Sequence, residues 1–290
     1  MRTDPLPLVV LTGASTGLGL AIAHLLVASP LRVVLTARAD SQSRFARAGL
    51  VESDRLLLRT LDVSVPGERE ALMEELNGRW GGVDVLINNA GLAYRTVVEH
   101  WDEKAWLEIM EVDVRAPLEL IRLALPAMRS RRSGRILNIS SVGGMMAMPT
   151  MSLYSAAKFA LEGATEALWY EVRPWDVHVS LIEPGFIRSD SFRSTRFTRR
   201  SFRGVMDDGD PYHAHYLHMA AFIERVMEHA PATPERVARC VLKTLNRRRP
   251  PLRVYATPDA HLFALLRRLL PRGLYHAILY RALPHVGLWG

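Results

Sequence analysis

Thr12-Gly13-Ala14-Ser15-Thr16-Gly17-Leu18-Gly19 follows a short apolar run, Leu6 to Thr12, and passes directly into an apolar helical pattern that reaches about Ala28. A strand, a glycine turn and a helix N-terminus in that order aim backbone N–H groups and the positive end of a helix dipole at one point. A phosphate is therefore expected there. The Thr-Gly-x-x-x-Gly-x-Gly spacing differs from G-x-G-x-x-G but serves the same needs: a tight turn, close approach of backbone to ligand, and close packing of helix on strand.

Outward from this stretch the chain alternates. Further strands are predicted at Arg32 to Ala37, Leu56 to Leu61, Val83 to Ile87, Arg135 to Ile139 and Val177 to Ile182. A short edge strand, Leu252 to Ala256, follows Pro250-Pro251. Helical patterns occupy Val65 to Arg79, Trp101 to Met128 and Ser152 to Arg173-Pro174, and Thr233-Pro234-Glu235 opens a helix to about Asn246. This alternation predicts an α/β fold with a Rossmann-type doubly wound, mostly parallel sheet of about seven strands and helices on both faces. No repeat or linker divides the 290 residues, so residues 1–290 read as one domain.

Composition is that of an ordinary soluble globule, 49% hydrophobic and 23% charged. The net charge of +7 is carried mostly by arginine, the lysines being Lys104, Lys158 and Lys243. It suits anionic cofactors and is no argument for nucleic acid. The single Cys240 excludes an internal disulfide and fits a reducing compartment. No secretory leader and no run of ~18 apolar residues is found, so a cytoplasmic protein is expected, with peripheral membrane contact left open.

The chemistry-bearing stretch is Ser141 to Lys158. After a Gly/Met/Pro loop, Ser152 is placed to cap a helix that carries Tyr154 and Lys158, four residues apart and so on one face. A cation held ~4–6 Å from a phenol favours its ionised form, which makes Tyr154 a general acid/base candidate. Ser141 lies on the loop leaving the Arg135 to Ile139 strand, where its hydroxyl can bond the oxygen of a carbonyl or alcohol.

These residues resemble the classical short-chain dehydrogenase/reductase family, and the likeness runs from about Leu6 to Ser189. The resemblance implies that Tyr154 exchanges a proton with the substrate oxygen, Ser141 positions that oxygen, and Lys158 supports both the tyrosine and the nicotinamide ribose. It further implies cofactor contacts from Gly13, Ser15, Thr16, Gly17, Leu18 and Gly19. Asp62 and Val63 would meet the adenine, Asn89, Ala90 and Gly91 of the Asn-Asn-Ala-Gly tetrapeptide would lie along the cofactor, and Pro184, Gly185, Ile187 and Ser189 would form the nicotinamide loop. At the end of the second strand Ala37 and Arg38 stand where an acidic residue would bond a ribose 2′-hydroxyl. A guanidinium there suits a 2′-phosphate, so NADP(H) is preferred over NAD(H), with Asp40 the residue that argues the other way. Asp113 is a departure, because the family usually has an asparagine at that position, whose backbone carbonyl serves a proton relay.

Beyond Ser189 the resemblance fades. A substrate lid is expected at about 190–230, with Arg188, Arg193, Arg196, Arg199, Arg200 and Arg203 interleaved with Phe192, Phe197 and Phe202. That run reads first as a solvated mobile loop and second as a receptor for an acidic handle. His213, His215 and His218 read as lid positions, not as metal ligands. The tail, about 258–290, is apolar with arginines and is broken by Pro271 and Gly273 into two short helices. The expected activity is an NADP(H)-dependent interconversion of carbonyl and alcohol on a lipophilic small molecule. The alternatives are a β-ketoacyl thioester reductase, or a catalytically weak NADP(H)-sensing or scaffold protein. A homodimer or homotetramer is what the resemblance implies.

Overall fold

The computed structural model describes residues 6–189 and 194–289. Its centre is a seven-stranded sheet in the order β3-β2-β1-β4-β5-β6-β7. The strands are β1 (Leu8–Leu11), β2 (Arg32–Ala37), β3 (Leu56–Thr60), β4 (Val85–Asn88), β5 (Gly134–Ile139), β6 (Val177–Glu183) and β7 (Arg253–Tyr255). Every neighbouring pair is parallel. The order reverses between β1 and β4, so a crevice opens at their carboxyl ends, where ligands bind in open α/β sheets. This is the Rossmann-type architecture expected from the alternation of elements.

The Leu-Val-Val-Leu run of β1 is buried throughout because both faces of the sheet are covered. Successive side chains alternate between faces. Leu8 and Val10 meet α3 (Pro66–Trp80), α5 (Ala116–Arg131) and α6 (Ser152–Val172). Val9 and Leu11 meet α1 (Gly17–Val27), Phe45 of α2 (Ser43–Arg47) and α9 (Pro234–Leu245). The short α2 was not foreseen; five polar-flanked residues leave no periodic stripe to read.

The pattern from Trp101 to Met128 is not one helix. Asp102 accepts from the Ala105 N–H and starts α4 at Glu103, which ends at Met110. A π-helical turn, Glu111–Arg115, then leads into α5. Pro117 has no N–H to offer the Asp113 carbonyl, so the α-helical ladder cannot run through this point. Ser152 is also corrected: it is the first residue of α6, not its cap, and its hydroxyl donates to Thr96 O at 2.8 Å.

Beyond β6, α7 (Arg199–Met206) and α8 (His213–Glu228) occupy the region expected as a lid. Two of its arginines are held, Arg196 by pairing with Glu108 and Arg200 by donating to Glu99 O, and the Thr198 and Ser201 side chains close a capping box at α7. Phe192 and Arg193 of the run lie outside the described residues. His213 bonds Gly204 O, while His215 packs on Trp289 and His218 on His285. The tail forms α10 (Pro258–Leu269) and α11 (Arg272–Arg281). Ala260 and Phe263 pack near Met145 and Met146, while Leu262, Leu265 and Leu269 face outward. Among the described residues no helix is long and apolar enough to cross a membrane.

Behind the β6–β7 edge, Arg253 Nη1 lies 2.6 Å from both Glu162 Oε2 and Glu183 Oε1, and Nη2 lies 3.1 Å from Glu166. Burial, with Glu162 beside it, pushes Glu183 up to about 7. Folded Glu183 thus keeps its proton to a higher pH than the unfolded chain, whose value is near 4.5. The stability this group supplies is complete below that lower value and is lost as pH rises toward 7, at about 1.4 kcal/mol per unit. Glu183→Gln is expected to flatten this slope and to raise the melting temperature at pH 8 relative to wild type, as read by circular dichroism melts from pH 5 to 8.

Candidate active site

The glycine turn is clasped from the β4 side. Thr12 Oγ1 accepts from the N–H groups of Asn89 and Ala90, both at 3.0 Å, and Asn89 Nδ2 donates to Thr12 O at 2.9 Å and Gly13 O at 3.0 Å. Gly13 has φ +63°, and a Cβ there would lie 2.8 Å from Ala90 Cα; one on Gly19 would lie 2.1 Å from Gly13 O. Only glycine fits either place. Thr16 is extended and its hydroxyl makes no capping bond, so the first N–H groups of α1 stay directed at the crevice.

On the far side of the crevice, α6 presents Tyr154 and Lys158. Lys158 Nζ sits 5.7 Å from the Tyr154 ring centre, 3.3 Å from Ile139 O at the end of β5, and 3.0 Å from Asp113 Oδ2. The other Asp113 oxygen accepts from Leu92 N–H at 2.8 Å, and Asp113 is 1% exposed. Burial alone would depress the Lys158 ammonium, yet Asp113 and the Tyr154 oxygen carry it above its ordinary value. Burial pushes Asp113 above the usual carboxylate range, against the pull of Lys158. Ser141 ends the β5 loop, its Oγ accepting from Gly143 N–H at 3.1 Å. A Cβ on Gly143 would stand 2.8 Å from Tyr154 Cε1 and 3.5 Å from Ser141 Oγ, so phenol and hydroxyl flank this glycine.

The loop after β6 is held by distant residues. Val142 N–H donates to Pro184 O, Gly185 N–H to Thr257 Oγ1 and Phe186 N–H to Asp259 Oδ2, each at 2.8 Å. These segments enclose a cavity of about 610 Å³. It brings together Tyr154, Lys158, Ser141 and Asp113 on one wall. Thr16, Leu18 and Arg38 line its β1–β2 end, with Asn89 and Gly91 between. Pro184, Gly185 and Ile187 complete it.

Gly13, Ser15, Gly17, Gly19, Ala90, Ser189, Asp62 and Val63 are not among the residues that line the cavity. Asp62 Oδ1 accepts from the Ser64 N–H and hydroxyl at 2.9 and 2.6 Å. Several lining residues were missed. Arg44 of α2 joins Arg38, while Asp40 lies 3.7 Å from Arg38 and bonds Ser41. Arg95, four residues after the Asn-Asn-Ala-Gly segment, also lines the cavity. Met146, Met148, Met151, Phe186, Ile223 and Met227 give an apolar side.

The comparisons with known proteins fall in line with this geometry. Residues 7–200 match the family model described as short chain dehydrogenase. The chain is a short-chain dehydrogenase. It is 36% identical over 265 residues to human 17-beta-hydroxysteroid dehydrogenase type 1, covering 86% of this chain and 77% of that protein. It is 31% identical over 266 residues to the 3-ketodihydrosphingosine reductase of Bacteroides thetaiotaomicron, covering 91% and 93%. A short-chain dehydrogenase structure from Streptomyces avermitilis superposes with a TM-score of 0.79 at 29% identity, covering 96% of this chain and 95% of that one. Other solved neighbours were determined with NADP or with NAD. This short-chain dehydrogenase is accordingly an oxidoreductase.

Asp113 gives the site a test. Asp113→Ala strands a buried ammonium and is expected to destabilise the protein by about 3 kcal/mol in urea melts. Asp113→Asn keeps an acceptor for Leu92 N–H but leaves the Lys158 charge to act on Tyr154 alone. In the same melts Asp113→Asn is expected to cost less than Asp113→Ala, because it leaves fewer buried polar groups unpaired.

Proposed function

We propose that this short-chain dehydrogenase uses NADP(H) to interconvert a carbonyl and an alcohol on a lipophilic small molecule, acting as a reductase. The observation that carries this reading is the meeting of Tyr154, Ser141 and the buried Lys158 on one wall of a cavity whose other end carries Arg38 and Arg44. The residues fit a dinucleotide: the glycine turn leaves room only for backbone, the α1 N–H groups face a diphosphate position, and the two guanidinium groups suit a 2′-phosphate. Asp40 does not line the cavity, which favours NADP(H) further.

A bound nicotinamide supplies the hydride to the carbonyl carbon. Tyr154 Oη gives the carbonyl oxygen its proton, and Ser141 Oγ donates a hydrogen bond that holds this oxygen in place. Lys158 stabilises the ionised tyrosine left behind, and the Asp113 carboxylate anchors the lysine. The Ile187 N–H would hold the carboxamide edge of a bound nicotinamide, with Pro184, Gly185 and Ser189 shaping that loop. The segment over the cavity serves as the lid, and its Ile223 and Met227 add to the methionine-lined side that suits an apolar substrate. Two relatives, named for a hydroxysteroid and a ketodihydrosphingosine, point the same way. A homodimer or homotetramer goes with this reading.

Absorbance assays with NADPH and NADH over long-chain aldehydes, ketosteroids and β-ketoacyl thioesters test it. Turnover is expected with NADPH, falling by roughly 10²–10⁴-fold in Tyr154→Phe. The Arg38→Ala/Arg44→Ala pair is expected to raise the NADPH KM by roughly tenfold or more while changing the NADH KM little. A preference for NADH in wild type, or full activity in Tyr154→Phe, would sink the proposal.

A further inference from the structure

Arg95 is a buried cation with nothing to hold. It is 7% exposed, lines the site cavity, and keeps its Nε buried without a hydrogen-bond partner. Glu224, on the exposed side of α8, is the acid whose field reaches it, and burial draws the guanidinium below its ordinary range. Native structures pair their buried charges, because an unpaired one forfeits its hydration without return. Among the described residues three other buried or half-buried arginines follow that rule: Arg69 lies 2.9 Å from Glu111, Arg196 is taken by Glu108, and Arg253 by three glutamates. Half-buried Arg135 also keeps a buried Nη1 without a hydrogen-bond partner, but it does not line the cavity.

The backbone around Arg95 is fixed on both sides. Arg95 N–H donates to Arg196 O at 2.8 Å and Thr96 N–H to Thr150 O at 2.7 Å, while Tyr94 and Thr96 bridge to Arg196 and Met151. The side chain is therefore delivered to the cavity by the loops that carry the lid and the start of α6. The cofactor phosphates are expected elsewhere, at the α1 N-terminus and at Arg38 and Arg44. The same cavity also carries the apolar side chains of Met148, Met151, Phe186, Ile223 and Met227.

We propose that Arg95 receives an anionic oxygen group of the substrate, a carboxylate or a phosphate monoester at the end of a lipophilic carbonyl compound. A guanidinium offers such a group two parallel N–H donors, which makes Arg95 a determinant of substrate class. This deepens the reading of the cavity as a carbonyl–alcohol site and rests on it.

Binding without chemistry is the first test. NADPH-saturated protein is titrated calorimetrically with decanoate, decyl phosphate and decanol. At least one of the anions is expected to bind roughly tenfold or more tighter than decanol, and the tighter anion tells carboxylate from phosphate. The preference is expected to vanish in Arg95→Met and to persist in part in Arg95→Lys, with NADPH affinity little changed in both. Thermal melts of the two variants establish that they fold. In turnover, the kcat/KM ratio of 10-oxodecanoate to its methyl ester is expected to fall toward one in Arg95→Met, with KM carrying the change. Equal binding of anions and decanol by wild type, or a preference that survives in Arg95→Met, overturns the proposal. So does a loss of NADPH affinity, which assigns Arg95 to the cofactor. An anion preference without reduction of any carbonyl compound leaves Arg95 in place and removes the carbonyl–alcohol reading. Reduction of decanal without an anion preference removes Arg95 alone.

Discussion

The ammonium of Lys158, buried between the Asp113 carboxylate and the Ile139 carbonyl, ties together three segments that the sheet alone would not hold in register. Asp113 reaches it from a π-helical turn, Ile139 closes β5, and Leu92 N–H, bonded to the other Asp113 oxygen, fixes the chain as it leaves β4. A charge removed from water has to be balanced where it sits. The position of Tyr154 relative to Ser141 is thus a by-product of electrostatic neutrality as much as of helix geometry. The carboxylate also changes the character of the lysine: part of its field is spent on a permanent partner, and the remainder acts on the phenol.

Much of the fold was legible because its signals are local. Parallel strands covered on both faces read as unbroken apolar runs, and the glycine turn reads from its spacing, since Gly13 and Gly19 answer steric demands that any side chain would violate. Tyr154 and Lys158 were legible because four residues on a helix is a distance. What escaped depends on partners far along the chain. The π turn rests on Pro117 and on the pull of a lysine 45 positions beyond Asp113. The Ser152 hydroxyl is claimed by Thr96, and the arginine run is ordered by Glu108 and Glu99.

The candidate site divides along the same line. Tyr154, Lys158, Ser141 and Asp113 are gathered by one cavity. Asp62 turns its carboxylate to Ser64, a local bond that competes with any ligand. Arg44 and Arg95 were missed for opposite reasons. Arg44 belongs to a helix too short to show a pattern, whereas Arg95 is one arginine among many until its burial singles it out.

The loop after β6 is held through Gly185 and Phe186 by Thr257 and Asp259, more than seventy residues further on. That distance has a meaning in time. During synthesis the strands up to β6 can pair as they emerge, but the anchors of Gly185 and Phe186 do not exist until the start of α10 has been made, and closing so long a segment is slow. The nascent chain thus acquires the six strands β1 to β6 well before the loop is pinned at Gly185 and Phe186.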